Sequence, residues 1–299
     1  MKLGIGTVQF GLDYGITNAG GRTHAAEVGA ILAECAGHGV DTLDTAALYG
    51  ESESVLGEHL PRPHRFQIVS KTLHLDAELP LPKALKAIRG GVMQSLARLR
   101  EPSLHALLIH RVDDLLGPAG DALFSELMTL REEGLVKKIG VSVYTPDEVA
   151  TLSGRYPLEI VQLPLNVFDQ RMLETGMLAA LRARNIKIHV RSAFLQGVLL
   201  VDNPQQLPAG LAALEPALHQ FNERLRAYGI SPLAGTLGFL NSLNALDVVV
   251  CGASRLSEWR EISSAFGTLP LLPNELFKDL AQSDVNLIDP RRWRRQPAR

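Results

Sequence analysis

Eight short apolar, β-branched runs, each followed by a segment of helix-like spacing, across 299 residues with no Pro/Gly/Ser-rich linker, predict an α/β chain folded as one closed (β/α)8 TIM barrel. The runs are LGIGTV (3–8), VDTLDTA (40–46), FQIVSK (66–71), LHALLIH (105–110 at its core), KKIGVSV (137–143), EIVQLPL (159–165), IKIHVRS (186–192) and LDVVVCG (246–252). Near-continuous apolar strands are those of a parallel sheet buried on both faces. The intervening segments, such as THAAEVGAILAECAGHG from Thr23 and LPKALKAIRGGVMQSLARLR after Pro80, carry apolar residues every three to four positions and are long enough to be crossover helices. An open dinucleotide-binding sheet is disfavoured, because Gly4 and Gly6 are followed by Gln9 where the third glycine of that fingerprint would stand.

The whole chain, 1–299, therefore reads as a single barrel domain with two additions. Residues 197–230, between the seventh and eighth runs, form a largely helical insertion with Leu211, Leu214, Leu218 and Phe221 at helical spacing, expected to act as a lid or pocket wall. Residues 285–299 form a short C-terminal tail ending in RRWRRQPAR, a solvated end with Trp293 docked on the body.

A hydrophobic content of 46% with 21% charged residues fits a water-soluble enzyme, and the 5% aromatic share argues against a stacking surface for single-stranded nucleic acid. The formal charge of -2 predicts no polyanion partner. Cys35 and Cys251 lie far apart in apolar contexts and read as buried free thiols in a reducing compartment. The start MKLGIGTVQFG carries neither a signal peptide nor an anchor, so a cytoplasmic location without membrane association is expected.

In a barrel of this kind the chemistry is built where the strands end. The polar residues there are Thr7 and Gln9, Asp44, Lys71, His110, Ser142, Gln162, Arg191, and Gly252 with Ser254. An acid, a tyrosine (Tyr49), a lysine and a histidine arrive on three consecutive units, and consecutive strand tops are neighbours in a closed barrel. A free phenol with a pKa near 10 is a poor acid at neutral pH, but an adjacent ammonium would lower that value. Asp44 would hold Lys71 charged and fixed, Tyr49 would be the proton donor, and His110 would be free to hydrogen-bond the same substrate oxygen.

Such a donor suits reduction of a carbonyl, and because no side chain supplies hydride the reading requires a nicotinamide. The last strand ends in CGASR (251–255) before a helix start, where backbone amides, Ser254 and Arg255 would suit a phosphate, most simply the 2′-phosphate of NADP.

These residues in this order resemble the aldo-keto reductase superfamily, from GIGTVQFG through the CGASR loop. The resemblance places the family's catalytic tetrad on Asp44, Tyr49, Lys71 and His110. It places cofactor contacts on Gly6, Thr7, Ser142, Gln162, Arg191, Ser192, Gly252, Ser254 and Arg255. Arg191 stands where many members have a tyrosine under the nicotinamide, and its planar guanidinium would stack there. Val143 replaces the family's usual asparagine, and Ser257, Glu258 and Ile262 depart from the pattern after CGASR. The resemblance implies reduction of an aldehyde or ketone to an alcohol, or the reverse oxidation, with NADP(H) preferred and NAD(H) the other form. VQFGLDYGITN and LIDPRRW are similar to a bacterial branch associated with carbohydrate metabolism, implying a small-molecule carbonyl or sugar-like substrate. Phe10 and Tyr14 are candidate pocket walls.

Two other readings compete. One keeps fold and cofactor but makes the chain a redox-sensing regulatory subunit with little turnover. The other makes Lys71 a Schiff-base nucleophile, against which Asp44 argues, because a paired lysine stays protonated.

Overall fold

A computed structural model describes residues 1–293 apart from residues 19, 77, 270, 271, 274 and 275. The strands are β1 (Lys2–Gly6), β2 (Thr42–Asp44), β3 (Gln67–Lys71), β4 (Ala106–Ile109), β5 (Ile139–Ser142), β6 (Ile160–Pro164), β7 (Lys187–Arg191) and β8 (Val248–Gly252). All pair in parallel and in sequence order, and β8 returns to β1 through Gly4↔Val250 and Gly6↔Gly252 to close the barrel. Each strand overlaps its apolar run; β1 starts one residue before its run, at Lys2, and the others fall inside theirs, up to two residues shorter at the ends, where the chain leaves the ladder to enter a loop.

Strand periodicity decides what the interior contains. Val69, Ala106, Leu108 and Ile160 form a small cluster of their own, separate from the large apolar layer between sheet and helices. Two residues after Val69 and Ile160, on the same face and one layer higher, stand Lys71 and Gln162. Asp44 ends β2 at the same height and meets both by hydrogen bonds. The layer of Asp44, Lys71 and Gln162 above that cluster is polar, so burying it depends on the groups satisfying one another.

The helices supply the outer wall. Leu81–Leu99 starts with Pro82 in its first turn, buries Ala84, Ile88, Val92, Leu96 and Leu99 at three-to-four spacing, and ends on Arg100 in the left-handed region (φ 57°). Pro146–Arg155 begins with a capping box in which the Thr145 side chain accepts from the Glu148 amide and Glu148 accepts from the Thr145 amide. Among the described residues no helix is long and apolar enough to cross a membrane.

The segment between β7 and β8 is helical, as its spacing predicts, but in pieces: short 3-10 turns at Leu195–Leu200, Pro204–Gln206 and Ala209–Leu214 precede an α-helix at Glu215–Ala227. Leu211, Leu214, Leu218 and Phe221 are all buried. Phe221 meets Phe168 and Phe277 at ring-centroid distances of 6.4 Å each, so this helix faces apolar packing. Of the expected lid, residues 197–230, only Gly197 and Leu200 at its beginning border the cavity at the barrel mouth, next to Gln196 just before it. Of the tail, Trp293 donates from its indole to the Asn286 carbonyl at 3.0 Å and packs against the core; residues 294–299 lie outside the described residues.

Candidate active site

Asp44, Lys71 and Gln162 form one hydrogen-bonded unit across the barrel. The Lys71 ammonium donates to Asp44 Oδ1 at 2.7 Å and to the Thr45 carbonyl at 2.9 Å, while Gln162 Nε2 donates to Asp44 Oδ2 at 2.6 Å. Both carboxylate oxygens thus have a donor, and the ammonium has two acceptors. That is what makes a buried pair tolerable, since leaving either charge uncompensated would cost several kcal/mol, roughly 3–5.

Tyr49 sits in a tight turn after β2. Its amide donates to the Ala46 carbonyl and its carbonyl accepts from the Ser52 amide, both at 3.0 Å. The turn needs two glycines. Gly50 has φ 56°, and Gly11 approaches so closely that a Cβ there would stand 1.8 Å from the Tyr49 carbonyl oxygen. The acid and serine run after Tyr49 anchors the following helix: Glu53, fully buried, accepts from Ser70 at 2.6 Å and from both Arg98 nitrogens at 2.7 and 2.9 Å. Ser52 Oγ donates to the Thr7 carbonyl at 2.8 Å.

The Lys71 ammonium lies over the face of the Tyr49 ring, 4.9 Å from its centroid. His110 meets the same ring edge-on at 5.9 Å, and its Nδ1 is buried with no partner among the described residues. Burial, then the Lys71 charge, push the His110 pKa down to about 3, so the imidazole is neutral at ordinary pH.

The electrostatics correct one expectation. Tyr49 is not acidified: burial raises its pKa above the usual tyrosine value, Asp44 raises it further, and the lowering influence of Arg191 does not offset them. Lys71 is itself pulled below the usual lysine value by burial, with Asp44 opposing that shift. The phenol at this site is held in its protonated form.

The barrel mouth opens into a cavity of about 510 Å³, within the range of small-molecule sites. Asp44, Tyr49 and His110 line it; Lys71 does not, being fully buried beneath them. Of the residues expected around a cofactor, Gly6, Thr7, Ser142, Arg191, Ser192, Gly252, Ser254 and Arg255 all line it, Gly252 beside its β1 partner Gly6. The Thr7 hydroxyl is already committed to the Asp44 carbonyl at 3.0 Å and to Ser52 Oγ at 2.8 Å. Gln162, expected against the cofactor, is fully buried; it holds Asp44 and stands 3.5 Å from Ser142 Oγ.

Arg191 also differs from expectation. Its guanidinium stacks on the Tyr144 ring at 3.9 Å from the centroid and donates to the Val143 carbonyl at 2.8 Å. The other face of Tyr144 carries Arg291 at 3.4 Å, itself paired with Asp289 at 2.6 Å. The sequence reading missed Tyr144, whose signal is its position directly after a strand end. It also missed Gln196, which accepts from the Ile16 amide at 3.1 Å and reaches the Tyr14 hydroxyl at 3.3 Å, tying the loop after β1 to the loop after β7. Tyr14 lines the cavity, whereas Phe10 is a buried core residue.

Several features fit a nicotinamide dinucleotide. The cavity runs from Tyr49 to the loop after β8, Gln9 Oε1 and Arg191 Nε beside it are buried with no partner among the described residues, and a Cβ at Gly252 would stand 2.6 Å from the Gln9 amide, so backbone and polar groups line its wall. A sequence model of the aldo/keto reductase family matches residues 2–284. The chain belongs to this family.

As an aldo-keto reductase it is an oxidoreductase by family. It is 31% identical to the oxidoreductase YdhF of Escherichia coli over 179 residues, 55% of this chain and 59% of that one. It is 29% identical to the 6-dehydroglucose reductase of Novosphingobium aromaticivorans over 161 residues, 48% and 52% of the two chains. The chain thus spans about half to three fifths of the length of these curated relatives. Among solved structures, an aldo-keto reductase of Bacillus halodurans in its holo form superposes with a TM-score of 0.77 at 21% identity, covering 98% of this chain and 95% of that one. The glycerol dehydrogenase of Gluconobacter oxydans gives 0.70 at 22% identity, covering 99% and 93%. At such identities the structural likeness speaks for the barrel alone.

Proposed function

We propose that this aldo-keto reductase reduces an aldehyde or ketone to an alcohol, and catalyses the reverse oxidation, with Tyr49 as the proton donor and a nicotinamide as the redox partner. The observation that carries the reading is the Asp44–Lys71 ion pair under the Tyr49 ring, with neutral His110 on the ring's edge and all but Lys71 open to one cavity. When bound, NADH or NADPH supplies the hydride that no side chain can.

The chain's own residues do the rest. His110, neutral and with spare hydrogen-bonding capacity, orients the carbonyl oxygen. Tyr49, held protonated by burial, delivers its proton as negative charge develops on that oxygen. The Lys71 ammonium beneath the ring then faces a phenolate rather than a phenol, so its attraction strengthens during the step and is worth most in the transition state. Asp44 and Gln162 keep the ammonium in place. Gly6, Thr7, Ser142, Arg191, Ser192, Gly252, Ser254 and Arg255 hold the cofactor along the cavity, with NADP(H) the form that the sequence favours.

The 6-dehydroglucose reductase relative, and the yeast D-arabinose 1-dehydrogenase, 30% identical over 123 residues, agree with a sugar-like carbonyl or lactol as substrate. The fully buried Lys71, paired on both sides and absent from the cavity wall, weighs against Schiff-base chemistry. The test is turnover of a panel of aldoses, ketoses and simple aldehydes with each nicotinamide. Activity lost in Tyr49→Phe with cofactor binding retained supports the assignment, and activity retained in that variant refutes it.

A further inference from the structure

The cavity's far end, in the loop after β8, carries an arrangement that the family assignment does not explain. The Ser254 amide donates to Glu258 Oε2 at 2.8 Å, and the Leu256 amide donates to Glu27 Oε2 at 2.6 Å. Two backbone donors that would serve a phosphate at the start of the helix Leu256–Gly267 are therefore already filled by carboxylates of the chain itself, from two different helices. Glu258 and Glu261 both border the cavity there, facing one cation among the described residues, Arg255, whose nearest approach to Glu258 is 4.0 Å. The acids outnumber the base.

We infer that this end of the cavity is built for the 2′,3′-diol of an adenosine ribose, with Glu258 accepting from its hydroxyls, and against a 2′-phosphate, so that the enzyme prefers NADH to NADPH. A diol brings two donors to a carboxylate that has only one bond so far and asks for no rearrangement. A 2′-phosphate brings close to two negative charges within reach of Glu258 and Glu261, and its oxygens find the Ser254 and Leu256 amides occupied. Arg255 alone does not reverse that balance, since it is exposed and weakly paired. The inference rests on the reading of the cavity as a nicotinamide site, and it reverses the preference for NADP(H) expected from the sequence.

The experiment is a pair of equilibrium titrations of the purified chain with NADH and NADPH, followed by cofactor fluorescence and repeated at low and high salt, with no substrate present. NADH is expected to bind about tenfold or more tightly, the ratio that one charge-assisted hydrogen bond supports. That ratio should shrink as salt screens the carboxylates. In Glu258→Gln, which keeps a side-chain acceptor for the Ser254 amide, NADPH should gain affinity and the preference should narrow several-fold, roughly the value of one removed repulsion. Binding of NADPH as tight as NADH by the wild-type chain overturns the preference while leaving the cofactor reading intact. An unchanged ratio in Glu258→Gln, in a variant that still melts cooperatively, overturns the role of Glu258. Binding of neither nucleotide overturns the cofactor reading itself.

Discussion

The two ends of the cavity are held together in different ways. At the reaction end, charged and polar side chains sit on strands or in turns directly after them, with Asp44 and Lys71 buried and each bonded to at least two partners. At the far end, Arg255 and Glu258 are on a loop and the first turn of a helix, about half exposed, and paired loosely. Chemistry that depends on preorganised charge needs the rigid, dry end, where low dielectric makes each interaction worth more. Discrimination between two soluble cofactors needs only the sign of the local charge, which exposed groups provide.

The sharpest way to break this contrast is at the phenol. Tyr49→Phe removes one hydroxyl and should lower kcat by about 10²–10⁴-fold while leaving nucleotide affinity within a factor of two or so, as a general acid's loss does; single-turnover kinetics with a nucleotide titration would check it. Next in size, Asp44→Ala leaves the Lys71 ammonium buried with only the Thr45 carbonyl. It should cost about 3–5 kcal/mol in urea unfolding, whereas the same measurement on Glu258→Ala should show about 1 kcal/mol or less, the scale of a helix cap. A comparable loss at both positions would erase the distinction drawn between the two ends.

Gly11→Ala tests how the reaction end is aimed. The new Cβ would stand 1.8 Å from the Tyr49 carbonyl oxygen and 2.4 Å from the Ser52 nitrogen, so the turn has to shift. We expect about 1–3 kcal/mol of destabilisation and a fall in kcat with little change in nucleotide affinity, read by thermal melting and steady-state kinetics.

The pH dependence is a subtler probe. His110 and His189 have folded pKa values pushed down to about 3 and about 4, chiefly by burial, from the usual imidazole value near 6.5. The unfolded chain therefore takes up protons below about pH 6.5 that the folded chain refuses, so the stability these groups contribute is complete above that pH and is lost as pH falls toward about 3. The melting temperature should drop across this window, and His110→Gln should flatten the slope.

Much of this was legible in the chain. Apolar runs at the right spacing marked all eight strands, because burial on both faces forces continuous hydrophobicity. The polar residue ending each run marked the mouth of the barrel, because the polar layer lies where the strands end, although His189 and Thr42 show that buried polar groups also occur lower in the sheet. Tyr49 was visible through its glycine neighbour, and the departures at Glu258 and Val143 stood out as departures. Less accessible were the relations that only neighbours in space create. Gln162 looks like a ligand contact in sequence, yet two residues of strand twist and one barrel diameter turn its amide onto Asp44. Arg191 looks free to stack on a cofactor, yet Tyr144 and Arg291, 147 positions apart in the chain, close around one another beside it.

The sequence by itself determined the architecture and the polar groups that end the strands, since both follow from short-range rules: apolar periodicity, strand ends and the chemistry of a few side chains. The tertiary structure alone decided which way the Tyr49 pKa moves, upward by burial and then by Asp44, because a pKa depends on burial and on neighbouring charges. It likewise decided the allegiance of the loop after β8, because Glu27 reaches Leu256 across 229 residues of chain, and no local pattern encodes a contact that only barrel closure brings about.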